Sequence, residues 1–169
     1  MRHKSKSRFG PAALSFLTTS GLCVAQVTVG VGSGSVIAGG AGSENISLSA
    51  TSGNAPASVQ WTLTYSGSDL SGMSLVPAAA VTAAGKTLLC ATGAGSVECV
   101  MWGTNTSPIP NGTIATASFD VSSSAATSSA LLITGLVTSS PSATGLPASG
   151  VGATLTLIHL STLACNPTH

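Results

Sequence analysis

Apolar and polar side chains alternate most regularly between residues 57 and 70. One set of alternate positions holds the apolar residues Val59, Trp61, Leu63 and Tyr65. The other set holds the polar residues Ser58, Gln60, Thr62 and Thr64. A two-residue period predicts a half-buried β-strand, with one face on a core and the other in water. We therefore expect this strand at the centre of a β-sandwich, and its polar face is the surface of most interest.

Eight further segments show strand patterns, so the chain is predicted to contain nine strands. The nine segments are residues 26–31, 44–50, 58–65, 70–76, 87–92, 97–102, 112–121, 129–137 and 153–158. The Gly-, Ser-, Ala- and Pro-rich residues 32–42 and 138–152 are predicted to be loops, with Val36 and Ile37 as a candidate short pairing. Residues 78–84 are alanine-rich and are a candidate for one helical turn. Short strands at regular spacing predict an all-β sandwich.

The N-terminus has the three parts of a secretory signal. Basic residues run from Arg2 to Arg8, an apolar run covers residues 11–22, and Cys23 and Ala25 are small residues where a signal peptidase would read. We predict a signal peptide over residues 1–25, a sandwich domain over 26–159 and a C-terminal tail over 160–169. A disordered basic N-terminus is the alternative. No later apolar run is long enough to predict a membrane span.

Composition and charge support a secreted-type β-protein over a cytosolic enzyme. Hydrophobic residues make up 43% of the chain, which argues against disorder, and only 5% are charged. Four of the five basic residues lie within the first eight positions, so the rest of the chain contains one lysine and four acidic residues. Such a chain offers no basic patch to a nucleic-acid backbone, and nucleic-acid binding is not expected.

Cys90 and Cys99 flank a glycine-rich turn between two predicted strands. If Ala94 and Gly95 form a two-residue turn, Cys90 lies opposite Cys99 in a non-hydrogen-bonded pair, where side chains are close enough for a disulfide. A secreted chain permits that bond. Two free thiols or a metal site are the alternatives, although no histidine lies nearby in sequence. Cys165 has no evident partner and lies in a tail that looks like the opening of another β-repeat.

The residues for catalysis are sparse. Glycoside hydrolysis needs two carboxylates facing each other across a cleft, whereas Glu44, Asp69, Glu98 and Asp120 are each isolated in the sequence. A serine–histidine–acid relay would have to recruit His159, and no strand–turn–helix nucleophile motif is present. We expect a non-catalytic protein without a cofactor or a metal.

Four stretches occur in an order that suggests a family. They are Val27-Thr-Val-Gly with Glu44-Asn-Ile-Ser-Leu; Val59-Gln-Trp-Thr-Leu-Thr-Tyr with Leu70 five residues on; residues 97–102 before a Gly/Asn/Pro loop; and Asn111-Gly-Thr-Ile-Ala-Thr-Ala-Ser-Phe-Asp-Val. Together they resemble a cohesin domain, over about four-fifths of the chain. The resemblance implies a nine-stranded jelly-roll sandwich related to cellulose-binding modules.

The same resemblance implies an extracellular binding function. Cohesins hold dockerin modules in calcium-dependent complexes, chiefly for polysaccharide breakdown, and the outward face of the aromatic strand belongs to their dockerin-binding sheet. Carried onto this chain, the partner-binding residues are Ser58, Gln60 and Thr62. The family often has acidic or asparagine residues there, and an ordinary solvated face is the alternative. Direct binding of polysaccharide, with Trp102 as the one candidate for stacking, and a structural spacer in a surface protein are the rival functions.

Overall fold

Two β-sheets and one short helix make up residues 25–160, the part of the chain that this computed structural model describes. In chain order the elements are β1 (Val27–Val31), β2 (Ser35–Ile37), β3 (Ala41–Ala50), β4 (Ser58–Thr64), β5 (Leu70–Pro77), α1 (Ala79–Ala83), β6 (Thr87–Gly93), β7 (Ser96–Trp102), β8 (Gly112–Val121), β9 (Ser128–Ser139), β10 (Ala148–Val151) and β11 (Ala153–Ile158). The predicted signal peptide, apart from Ala25, and the tail from residue 161 lie outside the described residues.

The strands form a five-stranded sheet with the order β10-β1-β3-β8-β5 and a six-stranded sheet with the order β2-β11-β9-β4-β7-β6. Most neighbours pair antiparallel, and the parallel pairs are β1 with β10 and β2 with β11. The predicted all-β sandwich is confirmed. The described residues contain no helix that could cross a membrane, since α1 has only five residues.

The core lies between the two sheets and is built by the alternation visible in the sequence. Val59, Trp61 and Leu63 of β4 are at most 1% exposed, while the residues between them are partly exposed. Burial of each such side chain contributes about 1.5–3 kcal/mol. Trp61 is among the largest fully buried side chains, and its indole N–H has no acceptor among the described residues. Its contribution therefore comes from apolar packing.

The predicted count of nine strands is wrong, because the structure contains eleven strands within residues 25–160. Each predicted segment contains a strand. Strand β2 confirms the candidate pairing at Val36 and Ile37, which pair with β11. Strand β10 lies in a region predicted to be a loop, and β9 extends to Ser139. Both added strands are short edge strands whose partners are distant in sequence, so no local alternation marks them. At Gly150 of β10 a Cβ would overlap the carbonyl of Ile133, so this glycine permits a close backbone approach and does not mark a turn.

Candidate functional site

Strand β4 lies inside the six-stranded sheet, between β9 and β7. Its buried residues face the core, so Ser58, Gln60 and Thr62 lie on the opposite surface, where they are partly exposed. We call this solvent-facing surface of the six-stranded sheet the outer face. The structure thus brings the three residues singled out in the sequence onto one surface, in the middle of a broad sheet.

An apolar row crosses the outer face at Gln60. Leu89 of β6 pairs with Val100 of β7, Val100 pairs with Gln60, and Gln60 pairs with Val137 of β9. Leu89 is 68% exposed and Val137 is 61% exposed. Trp102 lies two residues beyond Val100 on the same side of β7 and is 45% exposed. Exposed apolar side chains gathered in this way are typical of an interaction surface.

Sequence reasoning missed Val137 because β9 contains a bulge. Leu131 and Ile133 are buried, so strict alternation would also bury Val137. The pairing of β9 with β4 shifts between Gln60 and Thr62, next to Gly135, whose φ is 58°. Such a bulge reverses the side to which the following residues point. A glycine within a strand pattern was the available signal.

The positions of the two cysteines could have predicted that Leu89 points to the outer face. The disulfide requires Cys90 and Cys99 to share one side of the hairpin, and Cys99 is fully buried. Alternation then turns the residue before Cys90 outward, onto the outer face.

A second row, next to the apolar one, is polar and carries a charge. Glu98 of β7 pairs with Thr62 on one side and with Ala91 on the other, and Thr62 also pairs with Thr134. The Nε2 atom of Gln60 donates a hydrogen bond of 2.8 Å to Oε1 of Glu98. Glu98 is the only charged residue in the six strands of this sheet.

The predicted disulfide is present beneath this part of the face. Cys90 and Cys99 pair in the register expected from a turn at Ala94 and Gly95, and their sulfurs are 2.09 Å apart. The 4.1 Å Cα–Cα distance is that of a close pair in an antiparallel ladder. Gly95 has a φ of 72°, and its carbonyl accepts a hydrogen bond from the backbone N–H of Tyr65. The crosslink therefore joins edge strand β6 to β7.

The carboxylates of the described residues are spread over several elements of the fold. Residues 25–160 contain no cluster of three or more His, Cys, Asp or Glu side chains that could hold a metal. Glu44 and Asp120 both line an open cleft of about 1070 Å³ beside β2, but they occupy inward-facing and outward-facing positions of the five-stranded sheet, respectively. Burial raises the pKa of Glu44. A hydrogen bond from Ser66, and then one from the Ala126 N–H, lower the pKa of Asp69.

Lys86 is a structural residue that the sequence did not reveal. It is 4% exposed, and its Nζ donates to Oδ1 of Asn105 at 2.9 Å and to the backbone carbonyl of Asn105 at 3.2 Å. Burial lowers its pKa. The Nδ2 of Asn105 donates to the carbonyl of Ala84, so this pair ties the end of α1 to the loop after β7.

Comparison with known structures identifies the fold. No protein-family model matches the sequence, and no curated protein matches it. The sixth cohesin of Acetivibrio cellulolyticus scaffoldin B, solved in complex with a Cel5 dockerin mutant, superposes with a TM-score of 0.68 at 19% identity, covering 78% of this chain and 99% of that one. This chain has the cohesin fold.

Two further structures support that assignment. The cohesin of a Coh-OlpA-Doc918 complex from Clostridium thermocellum, described as a type I cohesin–dockerin complex, gives a TM-score of 0.70 at 12% identity over 79% of this chain and 99% of that one. A non-cellulosomal cohesin from Archaeoglobus fulgidus gives 0.66 at 14% identity over 79% and 92%. Alignment over nearly the whole length of each cohesin indicates that the cohesin-like domain of this chain contains the complete fold.

Proposed function

We propose that this cohesin-like domain is a secreted, non-catalytic module that binds a dockerin-type partner through the outer face. The observation that carries the proposal is the apolar row around Gln60, on the sheet that the cohesin resemblance assigns to dockerin binding. Two of the similar cohesins were solved in complex with dockerins. Ser58, Gln60 and Thr62 are the proposed contact residues, together with the apolar side chains beside them.

The composition of the face suits a protein partner. Protein interfaces typically combine an apolar centre with a polar rim, and aromatic residues often dominate their binding energy. Here Leu89, Val137 and Trp102 supply exposed apolar surface near Gln60. The hydroxyls of Ser58 and Ser139 lie 2.7 Å apart at one end of β4 and add neutral polar groups. A partner docked over Gln60 would cover both kinds of surface at once.

Secretion and the domain limits are part of the same proposal. The signal-like residues 1–25 support export, residues 26–159 would be the binding domain, and residues 160–169 would be a tail. Export into an oxidising environment agrees with the Cys90–Cys99 disulfide. The proposed role is attachment of a dockerin-bearing protein outside the cell, in a system for polysaccharide breakdown.

A pull-down with two matched valine variants tests this proposal. The immobilised full chain is incubated with the proteins secreted by its source organism, with calcium in one arm and a chelator in the other. We expect a dockerin-containing protein to be retained only with calcium. Val137→Asp should abolish retention, whereas Val76→Asp should not, because Val76 is similarly exposed (56%) but lies on the five-stranded sheet. Failure of the folded chain to retain any dockerin-containing protein would refute the proposal.

Direct binding of polysaccharide is the second candidate, and the exposure of Trp102 favours it. Indole rings that stack on sugars must reach solvent, and Trp61 does not. Titration with soluble cellulose oligomers should then shift the tryptophan fluorescence of the wild-type chain and leave that of Trp102→Ala unchanged. An emission spectrum that does not respond to sugar would eliminate this candidate.

A further inference from the structure

The outer face carries one charge that no described residue neutralises. Glu98 is the only charged residue in the six strands. The one lysine of residues 25–160, Lys86, is buried and bonded to Asn105, and that part of the chain contains no arginine. Among the described residues, the carboxylate of Glu98 therefore has no ion-pair partner, and the surface around it is otherwise apolar or neutral.

The neighbours of Glu98 leave its carboxylate accessible and orient it. Glu98 is exposed, and its cross-strand partners Ala91 and Thr62 are smaller than itself. Gln60 donates to Oε1 at 2.8 Å, and no other hydrogen bond to this carboxylate is present among the described residues. Oε1 is thus hydrogen-bonded to Gln60 at the centre of the face, while Oε2 remains available to a partner.

A partner that covers the apolar row must also remove water from Glu98. Gln60 pairs with Val100 and Val137 in that row, and the same Gln60 bonds to Glu98, so the two features are adjacent. Burial of a carboxylate without a compensating donor is costly, and like charges placed together at an interface are strongly disfavoured. Apolar contact alone would therefore discriminate poorly between partners, and the charge of Glu98 would determine which partners bind.

We infer that Glu98, positioned by Gln60, is the specificity residue of the outer face and selects partners that present a lysine or arginine side chain beside an apolar contact surface. A single carboxylate with one oxygen already bonded is a suitable acceptor for such a cation. A partner with an acidic residue at the same place is rejected. This inference rests on the proposed function, because it names the chemistry of the partner at that site.

Charge variants of Glu98 test the inference, and the probe is the dockerin-containing protein retained in the calcium arm of the pull-down. Glu98→Gln keeps the size of the side chain and removes the charge, and we expect it to weaken binding at least tenfold. Glu98→Lys should abolish binding. Asp120→Gln and Asp120→Lys are the matched controls, because Asp120 is an exposed acid on the five-stranded sheet, and both should bind as the wild type does.

A charge exchange completes the test. Each lysine and arginine of the dockerin is changed to glutamate in turn, and one such variant should lose binding to the wild-type chain and regain it with Glu98→Lys. Wild-type affinity that falls with rising salt would agree with an ionic contact. Binding of Glu98→Gln within twofold of the wild type would overturn the inference while the proposed function stands. No dockerin binding by the folded wild-type chain would overturn both.

Discussion

Breaking the Cys90–Cys99 disulfide should destabilise the domain and loosen one edge of the outer face. Strand β6 is the last strand of its sheet and pairs only with β7 within the described residues. The crosslink is the one covalent link between these strands apart from their shared turn. Since β6 also carries the exposed Leu89, its attachment to β7 affects both stability and the proposed binding surface.

The expected loss of stability follows from the length of the loop that the Cys90–Cys99 disulfide closes. The two cysteines are nine residues apart in sequence. In the chain-entropy description, a crosslink over about nine residues stabilises the folded state by about 2.5 kcal/mol. A domain of the size of residues 25–160 has an unfolding entropy of roughly 0.29 kcal/mol/K, so this loss corresponds to a fall in Tm of about 9 °C.

Differential scanning calorimetry with and without reductant measures this loss. A Cys23→Ala/Cys165→Ala background prevents disulfide exchange with the other two cysteines. Reduction removes only the crosslink, and Cys90→Ala should lower the Tm by a similar amount. Cys99→Ala should cost more, because Cys99 is fully buried and Cys90 is not. A reduced chain that melts within 2 °C of the oxidised chain would refute the reasoning.

Three further predictions concern buried or hydrogen-bonded polar groups. Burial raises the pKa of Glu44. Its favourable contribution to the free energy of unfolding is therefore complete at acid pH and is lost as the pH rises through the raised pKa. Glu44→Gln should therefore stabilise the domain against urea at pH 7, and this advantage should shrink as the pH is lowered to 4. Asn105→Ala should destabilise the domain by about 1–3 kcal/mol, because it removes the side-chain acceptor of the buried Lys86 ammonium group. It should cost more stability than Lys86→Met, which removes the ammonium group itself, and equal losses for the two variants would contradict this. Asp69 has a lowered pKa, so its contribution is present at neutral pH and lost as the pH falls; Asp69→Asn should flatten the acid side of a plot of stability against pH.

Local patterns in the sequence were sufficient for the central strand and for the hairpin. The alternation around Trp61 predicted which β4 residues would be buried, because a strand buries every second side chain. The turn at Ala94 and Gly95 predicted the pairing of Cys90 with Cys99, because a two-residue turn determines the register of its strands. Both depend on residues close together in the chain.

Features that depend on distant pairing could not be predicted in this way. Strand β10 forms because its backbone pairs with β1, more than a hundred residues earlier, and its Ala-Ser-Gly-Val sequence shows no apolar alternation. The apolar row needs the register of four strands and the bulge at Gly135, which turns Val137 outward. The sequence therefore located the polar side chains of the outer face and singled out Trp102, but it did not reveal Leu89 and Val137.

Hydroxyl-radical footprinting of the full chain, free and with its calcium-loaded dockerin partner, tests the central claim most directly. The reagent oxidises exposed apolar side chains, and such side chains occur on both sheets. We predict that oxidation of Leu89, Trp102 and Val137 falls on binding, while that of Val76 stays unchanged. Protection of Val76 with no change at Leu89 and Val137 would contradict the assignment of the outer face as the binding surface.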